Sequence, residues 1–177
     1  MTGPDLSLNG WAVLTILVDD GPAHGFAISR LLAKGTDIGQ AWSVSRPLVY
    51  RALDQLEASG LVHANPVGPG DGGPNRQPFR ATASGRRASA AWRSTPVTHL
   101  RDVRAELMLK LVLAERSGRD MSELLRNQLA TFAPQRADLA TGGGPSAGMP
   151  GHVLAVWRHE LSLAVEGTLT ALLADQS

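Results

Sequence analysis

A mainly α-helical chain with one small β-hairpin is what this sequence predicts, and three observations predict it. Apolar residues recur at helical spacing, as at Val49, Ala52, Leu53 and Leu56, which fall at i, i+3, i+4 and i+7. The stretch "NPVGPGDGGPN" at 65–75 holds four Gly and three Pro, which excludes helix and regular strand. Short apolar runs flank it, "LVHA" at 61–64 and "RQPFRAT" at 76–82, the pattern of two strands around a loop.

Taken in order, "LSLNGWAVLTILVDDGPAHG" opens with an apolar helix from Ser7 to Val18. Gly21 and Pro22 break it. "HGFAISRLLAKG" reads as a second helix, with Phe26, Ile28, Leu31 and Leu32 available for burial and Gly35 as its stop. "TDIGQAWSV" reads as a connection. The third helix, Ser45–Ser59, has Ser45 as N-cap, Pro47 in its first turn and Gly60 as C′ residue. At 100° per residue Pro47, Tyr50, Arg51 and Asp54 share the face opposite the apolar stripe, and Arg46 lies toward its edge. Helix, helix, connection, helix, then hairpin is the order of a winged helix-turn-helix with an extra helix in front. The hairpin carries Arg76 near its tip and Arg80 on its return.

From Thr82 the chain turns helical again. "ASGRRASAAWRS" is one helix, capped by Thr82 or Ser84. Residues 96–118 form a longer one. Its segment Leu107–Leu113 is apolar nearly all round, which implies burial on more than one side. Residues 120–134 open with Asp120 as cap and Glu123 at capping-box spacing. "TGGGPSAGMPG" at 141–151 has the composition of a flexible linker. Residues 152–176 close the chain as an amphipathic helix. Leu154, Trp157, Leu161, Ala164 and Thr168 approximate a heptad seam along it, weakened by Thr168 and Gly167. The expected division is residues 1–95, a winged helix-turn-helix domain of the kind that serves DNA binding, and residues 96–177, a helical region expected to serve dimerisation, with its linker near 141–151.

The totals narrow the function. The chain has 177 residues, 43% of them apolar, and a net charge of +1. No cysteine is present, so neither a disulfide framework nor a thiolate metal site is expected. No apolar run is long enough to span a membrane, and no signal peptide is read, so the expected location is cytoplasmic. The charge is uneven. Residues 44–95 hold seven Arg against three acidic groups, whereas residues 96–177 hold eight basic against nine acidic. The five His residues show no ligand spacing, and no metal or cofactor is expected. Nucleophile-elbow, zinc-protease and P-loop motifs are all missing. "GPGDGG" lacks the Lys-Ser/Thr of a P-loop and joins two strands rather than opening a helix. An enzyme is not expected.

A helix with an exposed, cationic N-terminus suits a DNA major groove. Its free N–H groups favour phosphate, and arginine reads guanine through two hydrogen bonds. The candidate DNA contacts are Ser45, Arg46, Pro47, Tyr50, Arg51, Arg76 and Arg80. The competing reading is a winged-helix module that binds protein and no DNA. A dimer interface is expected to cover the apolar seam, at Leu107, Leu111, Leu154, Trp157 and Leu161. The last helix is expected to cross onto a partner's first helix through Trp11 and Leu14.

"GPAHGFAI" at 21–28, "SRPLVYRALDQLEASGLV" at 45–62 and "GPNRQPFRATASGRR" at 73–87 resemble the PadR-like family of transcriptional regulators in order and spacing. The likeness spans about residues 6–116. It implies a winged helix-turn-helix, a homodimer built with C-terminal helices, and repression of neighbouring genes; a two-fold dimer is then expected to meet double-stranded DNA with inverted half-sites. Its recognition helix maps onto Ser45–Ser59, with Tyr50 and Arg51 at the positions that approach DNA. Members that sense drugs or phenolic compounds hold flat molecules near the dimer interface. A small aromatic effector is thereby implied here, with Trp11, Trp92 and Trp157 as candidate walls. The long, proline-rich loop at 65–75 departs from the family pattern.

Overall fold

The structure, a computed structural model, describes residues 4–64, 77–140 and 148–176. The first part runs α1 (Leu8–Asp19), β1 (Ala23–His24), α2 (Gly25–Leu31), α3 (Asp37–Ala41), α4 (Arg46–Ala58), β2 (Val62–Ala64), β3 (Pro78–Ala81) and α5 (Ala83–Ser94). The second runs α6 (Leu100–Asp102), a π-helical turn (Val103–Leu107), α7 (Met108–Arg116), α8 (Ser122–Ala140) and α9 (His152–Ala174). The predicted class holds: a winged helix-turn-helix followed by helices.

Helix α1 is the central rod. Ser7 caps it by accepting the Gly10 N–H at 3.3 Å. Gly10 through Leu17 are all buried, because α4, α5 and β3 pack around it. Leu14 and Ile16 have no exposed surface, and each such side chain contributes roughly 1.5–3 kcal/mol. Trp11 stacks on Trp92 of α5, with ring centroids 5.2 Å apart and planes within 4°. Within the protomer Leu14 is fully enclosed, and Trp11 keeps 9% of its surface exposed.

The hairpin forms as predicted, and a third strand joins it. β2 pairs antiparallel with β3, setting Val62 opposite Ala81 and Ala64 opposite Phe79. β1 pairs with the other edge of β3, setting Ala23 opposite Phe79. A two-residue strand shows no alternation, so its partner alone defines it. Residues 37–41, expected as connection, form α3, capped by Thr36 accepting the Gly39 N–H at 2.9 Å. Gly60 takes the predicted left-handed turn, with φ 66°. Thr82, not Ser84, caps α5 by accepting the Gly85 N–H at 3.0 Å, and its hydroxyl donates to the Gly60 carbonyl at 2.8 Å.

Residues 96–118 are not one helix. The helical run begins at Leu100. Before it, both backbone groups of Val97 pair at 2.8 Å with the buried Gln128 amide. α7 is buried on two sides, as its composition requires: Leu109 and Leu113 join the cluster around α1, and Leu111 and Ala114, with Leu107 of the preceding turn, join a second cluster with α8 and α9. α8 runs through Pro134 to Ala140 rather than ending there. Its first intrahelical bond is accepted by the Met121 carbonyl, so Asp120, which accepts the Ser122 N–H at 2.9 Å, stands one residue outside the cap position. The start of α8 meets the end of α9 through Met121 and Gln176, and Arg136 pairs with Glu166, so the two helices lie antiparallel.

Two polar clusters tie the parts together. Asp19 and Asp20 end α1, where carboxylates oppose the helix dipole. Arg93 donates to both Asp19 oxygens at 2.8 Å, Arg119 adds a bond at 2.9 Å, and Arg116 grips Asp20 at 2.7 and 2.8 Å. The other cluster surrounds Lys110, whose ammonium donates to Glu106 and to the Thr95 carbonyl, each at 2.7 Å. Burial pulls that ammonium below the ordinary lysine range, and Glu106 partly restores it.

Candidate nucleic-acid interface

Helix α4 is anchored by the predicted stripe. Val49, Ala52, Leu53 and Leu56 are buried, while Arg46, Pro47, Leu48, Arg51 and Asp54 are exposed. Ser45 occupies the N-cap position with extended backbone, but its side chain makes no capping bond. A hollow of about 400 Å³ opens beside this end, lined by Ser29, Lys34, Ser43, Ser45 and Arg46 among others. Two cationic side chains, the hydroxyl of Ser45 and a positive helix end therefore face one hollow, an arrangement that suits an anionic backbone. Lys34 and Ser43 were not singled out in the sequence. They belong to a turn and a connection with no period of their own, and only the fold brings them to α4.

Tyr50 departs from its expected place. It is half-buried, and its ring lies against Gly25: a Cβ there would stand 2.9 Å from Tyr50 Cε1. Its hydroxyl is buried, with no hydrogen-bond partner among the described residues. The ring sinks where glycine leaves room, so the hydroxyl is not held out toward a phosphate. Phe26, expected in the core, is half exposed on α2. Arg46 covers it there, with its guanidinium over the Phe26 ring at 5.3 Å and over the Tyr50 ring at 5.7 Å.

On the wing, Arg80 is exposed on β3, opposite His63 of β2. The Ala64 N–H donates to Glu57 Oε1 at 3.0 Å, tying β2 to α4. Arg76 and the loop 65–75 lie outside the described residues.

Of the expected interface residues, Leu107 and Leu111 are buried within the protomer, at 1% and 5% exposure. Leu154 and Trp157 are exposed, and Leu161 is half-buried. The three proposed tryptophan walls do not meet in one protomer, since Trp11 and Trp92 cover each other and Trp157 stands out on α9. Among the described residues no group of three or more His, Asp or Glu could hold a metal ion. No described helix is long and apolar enough to cross a membrane.

Comparison with known proteins adds three findings. No curated protein matches the chain. Solved structures similar to it include Bacillus subtilis PadR in complex with operator DNA, 21% identical, covering 97% of this chain and 100% of that one, with TM-score 0.44. The same protein in complex with p-coumaric acid is 21% identical, covering 96% and 99%, with TM-score 0.45. The smu.1604c protein of Streptococcus mutans UA159 is 16% identical, covering 93% and 98%, with TM-score 0.42. The family model for the transcriptional regulator PadR-like family matches residues 13–91, the span from α1 to α5 that holds α4 and the hairpin. The winged helix-turn-helix part of this chain is thus similar, over residues 13–91, to the transcriptional regulator PadR-like family.

Proposed function

We propose that the chain is a sequence-specific DNA-binding repressor that acts as a homodimer and answers to a small aromatic effector. The observation that carries the DNA reading is the N-terminal end of α4. There Arg46 and Arg51 are exposed and Lys34 shares a hollow with Arg46, while the opposite stripe is locked in the core. In a dimer two such helices face inverted half-sites about 10 bp apart. A random duplex pool selected in vitro with the purified protein supplies a binding site for titration. Affinity should fall steeply between ~50 and ~200 mM salt, since phosphate neutralisation releases counterions. A triple alanine variant at Arg46, Tyr50 and Arg51 should lose at least tenfold. Retained binding by that variant, or indifference to salt, would show that α4 is not the reader.

The dimer reading rests on α9. Val153, Leu154, Val156, Trp157 and Leu163 are exposed there. An apolar groove of about 450 Å³, lined by Leu107, Met108, Leu111, Trp157 and Leu161 among others, runs beside them. Apolar surface of this extent calls for a partner, and a second copy is the commonest one. Trp157→Ala should weaken the dimer by about 3 kcal/mol if the indole is enclosed there. Sedimentation that finds wild type and variant equally monomeric at micromolar concentration would refute this. The effector reading moves with Trp157. A hollow of about 480 Å³ is lined by Trp157, Arg101, Arg158, His99 and Gln135 among others, an aromatic wall beside two guanidinium groups.

A further inference from the structure

We propose that Phe26 and Tyr50 hold Arg46 as a reader of a guanine edge, so that sequence preference, as distinct from affinity for any duplex, is set at this cluster. The proposal rests on the DNA-binding reading above. Three observations carry it. First, the Arg46 guanidinium lies over two aromatic rings, at 5.3 Å and 5.7 Å. A guanidinium attracted to two ring faces from two different helices is restricted to few directions. Guanine O6 and N7 require a coplanar pair of donors, whereas a phosphate accepts a cation from many angles.

Second, the rings are themselves positioned. Tyr50 stands one helical turn after Arg46 on α4, and its ring is set against Gly25, where a Cβ would come within 2.9 Å of Cε1 and 3.0 Å of Cζ. With its hydroxyl buried and without a partner among the described residues, Tyr50 serves here through its ring. Phe26 reaches Arg46 from α2 and is 50% exposed, a large apolar ring outside the filled core around α1. Third, the phosphate role has other holders nearby. Lys34 lies in the hollow beside the N-terminus of α4, and Arg51 is exposed on α4. Arg46 stands at the first helical position, at the end of a recognition helix that meets base edges.

The test compares two probes, a duplex selected in vitro by the wild-type protein and the unselected random pool. Phe26→Leu keeps apolar bulk and removes the π face, and Arg46→Lys keeps the charge and removes the planar fork. Thermal melting checks that both variants fold. Each should bind the selected duplex about tenfold more weakly, a loss several times larger than the same variant shows on the pool. Replacing one guanine per half-site with 7-deazaguanine, which lacks N7, should weaken wild type by a similar factor and Arg46→Lys hardly at all. Equal losses on both probes would place Arg46 on phosphate and overturn the proposal. Unchanged binding of the selected duplex by Phe26→Leu would overturn it too. Wild type that binds neither probe would remove the DNA-binding reading and the proposal with it.

Discussion

Glu106→Ala should lower the stability of the fold by about 3 kcal/mol, a large share of the ~5–15 kcal/mol that holds a domain together. The reason is what the carboxylate leaves behind. The Lys110 side chain is 1% exposed, and its ammonium is 2.7 Å from Glu106 Oε1. The same oxygen accepts the Trp92 indole N–H at 3.0 Å. Truncation strands a cation with only the Thr95 carbonyl and the Trp92 ring, 5.0 Å away, and it orphans the indole. Glu106 itself is 32% exposed, so water softens the loss and keeps it at the lower end for broken buried pairs. Glu106→Gln, which keeps an acceptor for Trp92, should lose about half as much. The double variant Glu106→Gln/Lys110→Met should regain most of the deficit, because apolar replacement of a buried pair is close to neutral. Urea midpoints for the set decide the matter. A Glu106→Ala variant within about 0.5 kcal/mol of wild type would mean that the ammonium finds water. Burial lowers the Lys110 pKa in the native state, so the unfolded chain holds this proton to higher pH. Stability should therefore rise as pH climbs from the lowered native value toward the ordinary lysine range, and Lys110→Met should lack that rise.

Gly85→Ala should destabilise by about 3 kcal/mol or more, although alanine is the better helix former by roughly 1 kcal/mol. A Cβ at position 85 would stand 2.1 Å from the Leu61 carbonyl oxygen and 3.1 Å from Leu14 Cδ1. That carbonyl already accepts the Thr82 N–H at 2.9 Å, so it sits in the joint between α4, β2 and α5. Backbone cannot swing aside as a side-chain end can, and relief means moving the wing or α5. The variant should lower the melting temperature and weaken DNA binding through wing displacement. Gly167→Ala is the control. Its Cβ meets nothing within 4 Å, so helix propensity alone acts and stability should stay level or rise by up to about 1 kcal/mol. Gly85→Ala as stable as Gly167→Ala would contradict the close approach.

What the sequence alone determined was whatever a few neighbouring residues decide. The apolar stripe of α4, the Gly60 stop, the strands on either side of 65–75 and the two-sided burial of Leu107–Leu113 follow from local spacing and turn chemistry. The candidate interface was legible to the same extent: Arg46 and Arg51 stand exposed because the stripe fixes the opposite face. The tertiary structure alone decided what depends on distant partners. β1 is a strand only because β3 lies beside it, and α3 is too short to show a period. Phe26 is half exposed because α1, α4 and the sheet fill the core without it, and Arg46 meets its ring instead. Trp11 turned inward to Trp92, across eighty residues of chain, while Trp157 stands exposed on α9. Periodicity states how much apolar surface a segment must cover; which neighbour covers it is settled only when the whole chain competes for the same space.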